Sequence, residues 1–120
     1  MATELPIEYM SRVAGADFTH DQYTYVTVDA SGHVIPATLG ANAIGVIVNT
    51  PGIGQTAQVM ILGECMVYYG ASVTAGQSVE CDATGRAITA TAGFVLGIAL
   101  ESGGVGELHT VLLSARGLLS

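Results

Sequence analysis

The chain has 120 residues, a net charge of −7 and a charged fraction of 11%, against roughly 25% in an average soluble domain. Half of the residues are hydrophobic, sixteen are glycine, lysine is absent, and Arg12, Arg86 and Arg116 are the only arginines. Such a chain cannot cluster the Lys/Arg needed to displace phosphate counterions or to dock on anionic lipid, which argues against nucleic acid and membrane as partners. One domain of this size buries about two-thirds of the surface its unfolded chain exposes. With so few charges to coat the remainder, part of the apolar excess is expected to face a partner, as in an obligate oligomer or a larger assembly.

The first residues, MATELPIEYMSR, lack the basic and apolar regions of a secretory signal, so synthesis in the cytosol is expected. No stretch reaches the roughly 18–20 consecutive apolar residues of a membrane span. Residues 1–17 show no sustained period of 2 or 3.6, and Pro6 interrupts any helix. They read as an extended N-terminal arm, with Leu5, Pro6, Ile7 and Tyr9 as candidate contacts to a neighbouring sheet or subunit. A single β domain is expected from residue 18 to residue 120.

Tyr23 to Val28 alternates aromatic and β-branched residues and predicts a strand. Asp29-Ala-Ser-Gly32 is a tight turn, with Asp placed to bond backbone amides and Gly at the fourth position. Val34 and Ile35 form a short return strand, Ala43 to Asn49 a buried one, and Gln55 to Leu62 the next, after the Thr50–Gly54 turn cluster. Gly63 to Tyr69 reads as a separate strand. Gln77 to Cys81, Arg86 to Thr89, Phe94 to Glu101 and Glu107 to Leu113 complete seven to nine short strands, with any helix confined to a turn near Ala71 to Gly76.

The pattern is duplicated. DASGHVIPAT (Asp29 to Thr38) returns as DATGRAITAT (Asp82 to Thr91), identical at six of ten positions. Ile44-Gly-Val-Ile-Val48 returns as Leu96-Gly-Ile-Ala-Leu100, and Gly54 before Val59-Met-Ile61 as Gly106 before Val111-Leu-Leu113. Two copies are too few for a solenoid. The expected fold class is all-β, a small barrel or sandwich built from two similar β units, with the arm at its N-terminus.

Candidate chemistry is sparse, and no catalytic residue, metal ligand or cofactor is assigned. His20, His33 and His109 have no metal-ligand spacing with each other or with Cys65 and Cys81. Both cysteines read as free thiols in the core. Cys65 has no nearby cation or helix N-terminus in sequence to make it a nucleophile. Glu64, Glu80, Glu101 and Glu107 are scattered among strand ends and loops, as surface acids normally are. The glycine clusters Gly52–Gly54 and Gly103–Gly106 open no helix and carry no P-loop Lys. A biotinyl or lipoyl carrier, also a barrel of two similar halves, is excluded because there is no lysine to modify.

Two stretches, VTAGQSVECDATGRAITATAG-FVLGIALES-GELHTVLL (Val73 to Leu113) and VDASGHVIPATLGANAIGVIVN (Val28 to Asn49), resemble the capsid decoration, or cement, proteins of tailed phages, including lambda-type head decoration proteins. The resemblance covers residues 18 to 117. It implies a small β-rich virion protein, commonly a homotrimer with a dimer as the alternative, bound to the exterior of an expanded capsid and clamping neighbouring copies of the major capsid protein. Other expected roles are a tail- or fibre-associated β module, or a non-viral oligomeric binding domain.

Overall fold

A computed structural model describes residues 8–91 and 93–113. Within them lie nine strands: β1 (Glu8–Val13), β2 (Tyr25–Val28), β3 (Val34–Pro36), β4 (Gly45–Ile47), β5 (Thr56–Tyr68), β6 (Ser78–Cys81), β7 (Ala87–Thr89), β8 (Gly97–Ala99) and β9 (Leu108–Leu113). They form one curled sheet in the order β3-β2-β4-β5-β9-β8-β6-β7, with β1 also on β5, and every strand pair is antiparallel. The fold is all-β, as the glycine-punctuated alternation predicts, and residues 71–76 contain turns and a β-bridge at Val73 but no helix.

The duplication is carried into the strand register. The Val28–Val34 and Val26–Pro36 pairs of β2 and β3 return as Cys81–Ala87 and Val79–Thr89 of β6 and β7. The Val46–Met60 and Ile47–Val59 pairs return as Ile98–Leu112 and Ala99–Val111. Gly45 and Gly97 are equivalent, and at each a Cβ would overlap a carbonyl oxygen, that of Met60 or of Leu112. That close approach explains the recurrent glycine between two apolar residues.

Two differences from the sequence reading share one cause. The segments on either side of Gly63 are one thirteen-residue strand, β5, rather than two. Its first half pairs with β1 and β4, and its second half with β9. Gly63, at φ 109°, sits where the pairing changes, and bends the strand without ending it. Residues 8–13 of the expected arm are a strand laid against the first half of β5, with Arg12 opposite Ala57 and Val13 opposite Thr56. Their counterparts are Val67 opposite His109 and Tyr68 opposite Leu108, so β1 is to the first unit what the second half of β5 is to the second.

Each unit curls until its ends meet. Ala14 bridges Val34 in parallel, with the Gly15 N–H donating to Val34 O at 2.7 Å; Tyr69 bridges Ala87 likewise, and Gly70 N–H donates to Ala87 O at 2.9 Å. The first unit encloses Ala14, Phe18, Val26, Val34, Ile47, Ala57 and Val59. Equivalent positions in the second hold Tyr69, Val73, Val79, Ala87, Ala99, His109 and Val111. Phe18 is matched by the smaller Val73, and Ala14 by the larger Tyr69. The Phe–Ala pair of one unit is thus exchanged for a Val–Tyr pair in the other, the kind of compensating size change that close packing favours.

The units are joined by a shared core of Tyr25, Val46 and Met60 from the first with Cys65, Cys81, Leu96 and Leu113 from the second. Backbone bonds cross the same junction: Tyr25 N–H to Gly85 O at 2.7 Å, Gly40 N–H to Cys81 O at 2.9 Å and Tyr68 N–H to Tyr23 O at 3.1 Å.

Candidate functional site

Side chains alternate across a strand, so register decides which residues share a face. Glu64, Met66 and Tyr68 on β5 stand opposite Leu112, Thr110 and Leu108 on β9. Ile98 on β8 stands opposite Leu112 on its other side, and Leu100 N–H donates to Thr110 O at 3.0 Å. This outward face of the second unit is apolar. Met66, Leu112 and Leu100 are exposed, and Tyr68, Leu108 and Ile98 are half-buried. Among these residues Glu64 is charged and Thr110 is polar.

The first unit is an internal control. At the positions of Met66, Leu108 and Thr110 it carries Ser11, Thr56 and Gln58, all exposed. Its apolar members at the positions of Leu112 and Ile98 are Met60 and Val46, both buried in the junction. At the positions of Met66, Leu108 and Thr110 the first unit is polar, whereas at the positions of Glu64 and Tyr68 it exposes Tyr9 and Val13. Exposed apolar patches of this kind mark interaction sites in many proteins.

The arm candidates divide. Leu5, Pro6 and Ile7 lie outside the described residues. Tyr9 is on β1, opposite Met60, with its side chain 52% exposed. Loop tips add a further apolar element at equivalent positions, Ile53 and Val105, and Leu39 and Phe94 are exposed beside the contact between Gly40 and Gly93.

Polar side chains are engaged in loop architecture. Asp29 Oδ1 accepts the N–H groups of Ser31 and His33, which hold its carboxyl below the usual range, and Asp82 Oδ1 accepts those of Thr84 and Arg86 at the equivalent turn. Glu80, counted in sequence as a surface acid, is buried, and its Oε1 accepts the N–H groups of Thr91 and Gly93 at 2.9 and 2.8 Å. Cys65 and Cys81 are free and buried. Burial pushes the Cys65 thiol up to about 11 and raises that of Cys81, leaving little thiolate near neutrality. A polar cleft of about 590 Å³ opens between His20, Gln22, Tyr68 and Arg86.

Two features escaped the sequence reading. Glu101 and Glu107, 6 residues apart, converge on His109, with each ring nitrogen 2.9 Å from a carboxylate oxygen. The apolar face was hidden because its residues come from three strands. Aligning the two copies residue by residue would have exposed both, since each appears as a change from Ser, Thr, Asn, Gln or Ala to Met, Leu, Glu or His.

No protein-family model matches the chain, and no curated protein matches it by sequence. By structure it is similar to the N-terminal base of the head fiber protein gp8.5 of bacteriophage phi29. The TM-score is 0.74 over 90% of this chain and 94% of that one, at 19% sequence identity. The likeness is one of fold.

Proposed function

We propose that the protein is a structural component of a phage virion that sits on the outside of the head and attaches through the apolar face of its second unit to the major capsid protein. The supporting observation is the asymmetry between units: Met66, Leu108 and Leu112 are apolar and accessible where a sister unit of the same fold is polar or covered. The sequence resemblance to decoration proteins and the fold likeness to a phage head-fibre base both support this reading. Clamping of neighbouring capsid subunits, oligomerisation as a homotrimer, and capsid contact by Leu5, Pro6, Ile7 and Tyr9 belong to this reading. Multivalent attachment would let modest contacts suffice. The fold likeness equally supports a second reading, in which the domain is the base on which a head fibre stands.

The test is co-sedimentation with expanded capsids that lack the protein, counting bound copies per major capsid subunit. Saturation at a fixed ratio is expected. The double variant Met66→Ser/Leu108→Thr places the first unit's residue types on the second and should fold normally. Each lost apolar contact is worth about 1.5–3 kcal/mol if fully buried in the complex, so attachment should weaken at least tenfold. Unchanged attachment would remove the face from the proposal. Deleting residues 1–7, which leaves β1 whole, tests the arm separately.

A further inference from the structure

His109 on β9 lies between two carboxylates. Its Nδ1 is 2.9 Å from Glu101 Oε1 and its Nε2 2.9 Å from Glu107 Oε1. The same two oxygens accept backbone N–H groups, that of Thr110 at 3.1 Å on Glu101 and that of Gly104 at 2.9 Å on Glu107. The ring packs on Tyr69, centroids 5.0 Å apart, and the Tyr69 hydroxyl donates to Glu101 O at 2.6 Å. One imidazole thus ties together the end of β8, the loop of residues 102–107 and β9.

The first unit builds the equivalent loop without charge. Asn49 replaces Glu101 and its Oδ1 accepts the Gln58 N–H at 2.9 Å; Gln55 replaces Glu107 and its Oε1 accepts the Gly52 N–H at 2.7 Å. Ala57 stands where His109 does, and Ala14 where Tyr69 does. The backbone bonds are conserved between the copies, and the acid–imidazole–acid bridge is particular to the second.

A neutral imidazole has one N–H, so it can donate to only one of the two carboxylates and turns a lone pair toward the other. The imidazolium donates to both, in charge-assisted bonds. We propose that Glu101, Glu107 and His109 form a proton-operated clasp, which ties the loop carrying Val105 through both carboxylates when the imidazole is charged and loosens it by giving up one of the two bonds when the imidazole is neutral. The titratable groups facing His109 are Glu101 and Glu107 from the two loop ends and Tyr69, the residue after β5. Val67 lies directly across the ladder, and Gly103, bridged to Val73, packs beside the ring.

The direction of the pH effect follows from the geometry. Hydrogen bonds to the carboxylates of Glu107 and Glu101 hold the His109 pKa above the ordinary value, so its contribution is complete below about pH 6.5 and is lost as the pH rises through the folded-state value. Glu101, held down by the Thr110 N–H and His109, and Glu107, held down by His109 and the Gly104 N–H, contribute above the ordinary carboxylate range. Their share is lost as the pH falls through their lowered values. The clasp is closed in mildly acidic solution and opens on the alkaline side.

Amide hydrogen exchange between pH 5.5 and 8.5, corrected for intrinsic exchange, provides the test. Protection of Gly104 to Glu107 and Thr110 should fall relative to Gly52 to Gln55 and Gln58, by about tenfold for each unit that separates the folded and unfolded imidazole pKa values. His109→Gln should make the ratio independent of pH. Glu101→Asn/Glu107→Gln, which installs the residues of the first unit's loop, should do the same and guards against a folding defect in the His variant. A wild-type ratio that does not change with pH, or a change that persists in either variant, would overturn the clasp.

Discussion

At the scale of single residues, two buried tyrosines show how a hydroxyl is handled at different places in one core. Tyr69 fills the second unit, and its hydroxyl donates to Glu101 O at 2.6 Å. Tyr25 plugs the junction between the units, fully buried, and its hydroxyl has no partner among the described residues. Burial raises the pKa of both phenols, and neither ionises near neutrality. The consequences of removing each oxygen differ in sign. Tyr69→Phe breaks a bond and leaves a carbonyl short of a donor, a loss of about 0.5–1.5 kcal/mol. Tyr25→Phe removes a desolvated hydroxyl that returns nothing, so stability should hold or rise by up to about 1–3 kcal/mol. Urea unfolding of the two variants checks the pair, and equal losses in both would contradict the assignment.

At the scale of elements, β5 does the most to shape the molecule, because it is the last strand of the first unit and the first strand of the second. Odd-numbered residues at both ends of the strand point inward, Ala57 and Val59 into one unit, and Val67 into the other beside Tyr69, the residue that follows the strand. The bend at Gly63 lets one strand serve both. A φ of 109° is a conformation that residues with a Cβ rarely adopt. Gly63→Ala should therefore cost about 1–3 kcal/mol, read as a shift of the denaturation midpoint at unchanged slope. The same element shows what the sequence could tell. Turns, strands and copy number were legible from Asp-x-x-Gly and β-branched alternation, which are local. The unity of β5 was not, because a glycine between two alternating runs looks like a break until a partner strand is placed on each side. β1 gave no signal at all: Tyr9, Met10 and Val13 do not alternate with Ser11 and Arg12. It is a strand because β5 presents a ladder edge that the fold must fill.

At the scale of the whole molecule, the question is whether two similar units make one folding unit or two. The first unit has an interior of its own, which favours independence, whereas that of the second is continuous with the junction. Against that, they share β5 covalently, and the junction core places Tyr25, Val46 and Met60 against Cys65, Cys81, Leu96 and Leu113. Separating the units would expose these side chains together, at about 1.5–3 kcal/mol for each large one, and would free the backbone bonds from Tyr25 to Gly85 and from Gly40 to Cys81. That exceeds what half of a marginally stable domain can lose. The units should unfold together, in one calorimetric transition whose van't Hoff and calorimetric enthalpies agree. Two resolved transitions would show that the copies remain separable domains. Because the junction uses the first unit's outward face, Val46 and Met60 are buried by folding itself, while the equivalent Ile98 and Leu112 of the second unit stay accessible, as the proposed attachment requires.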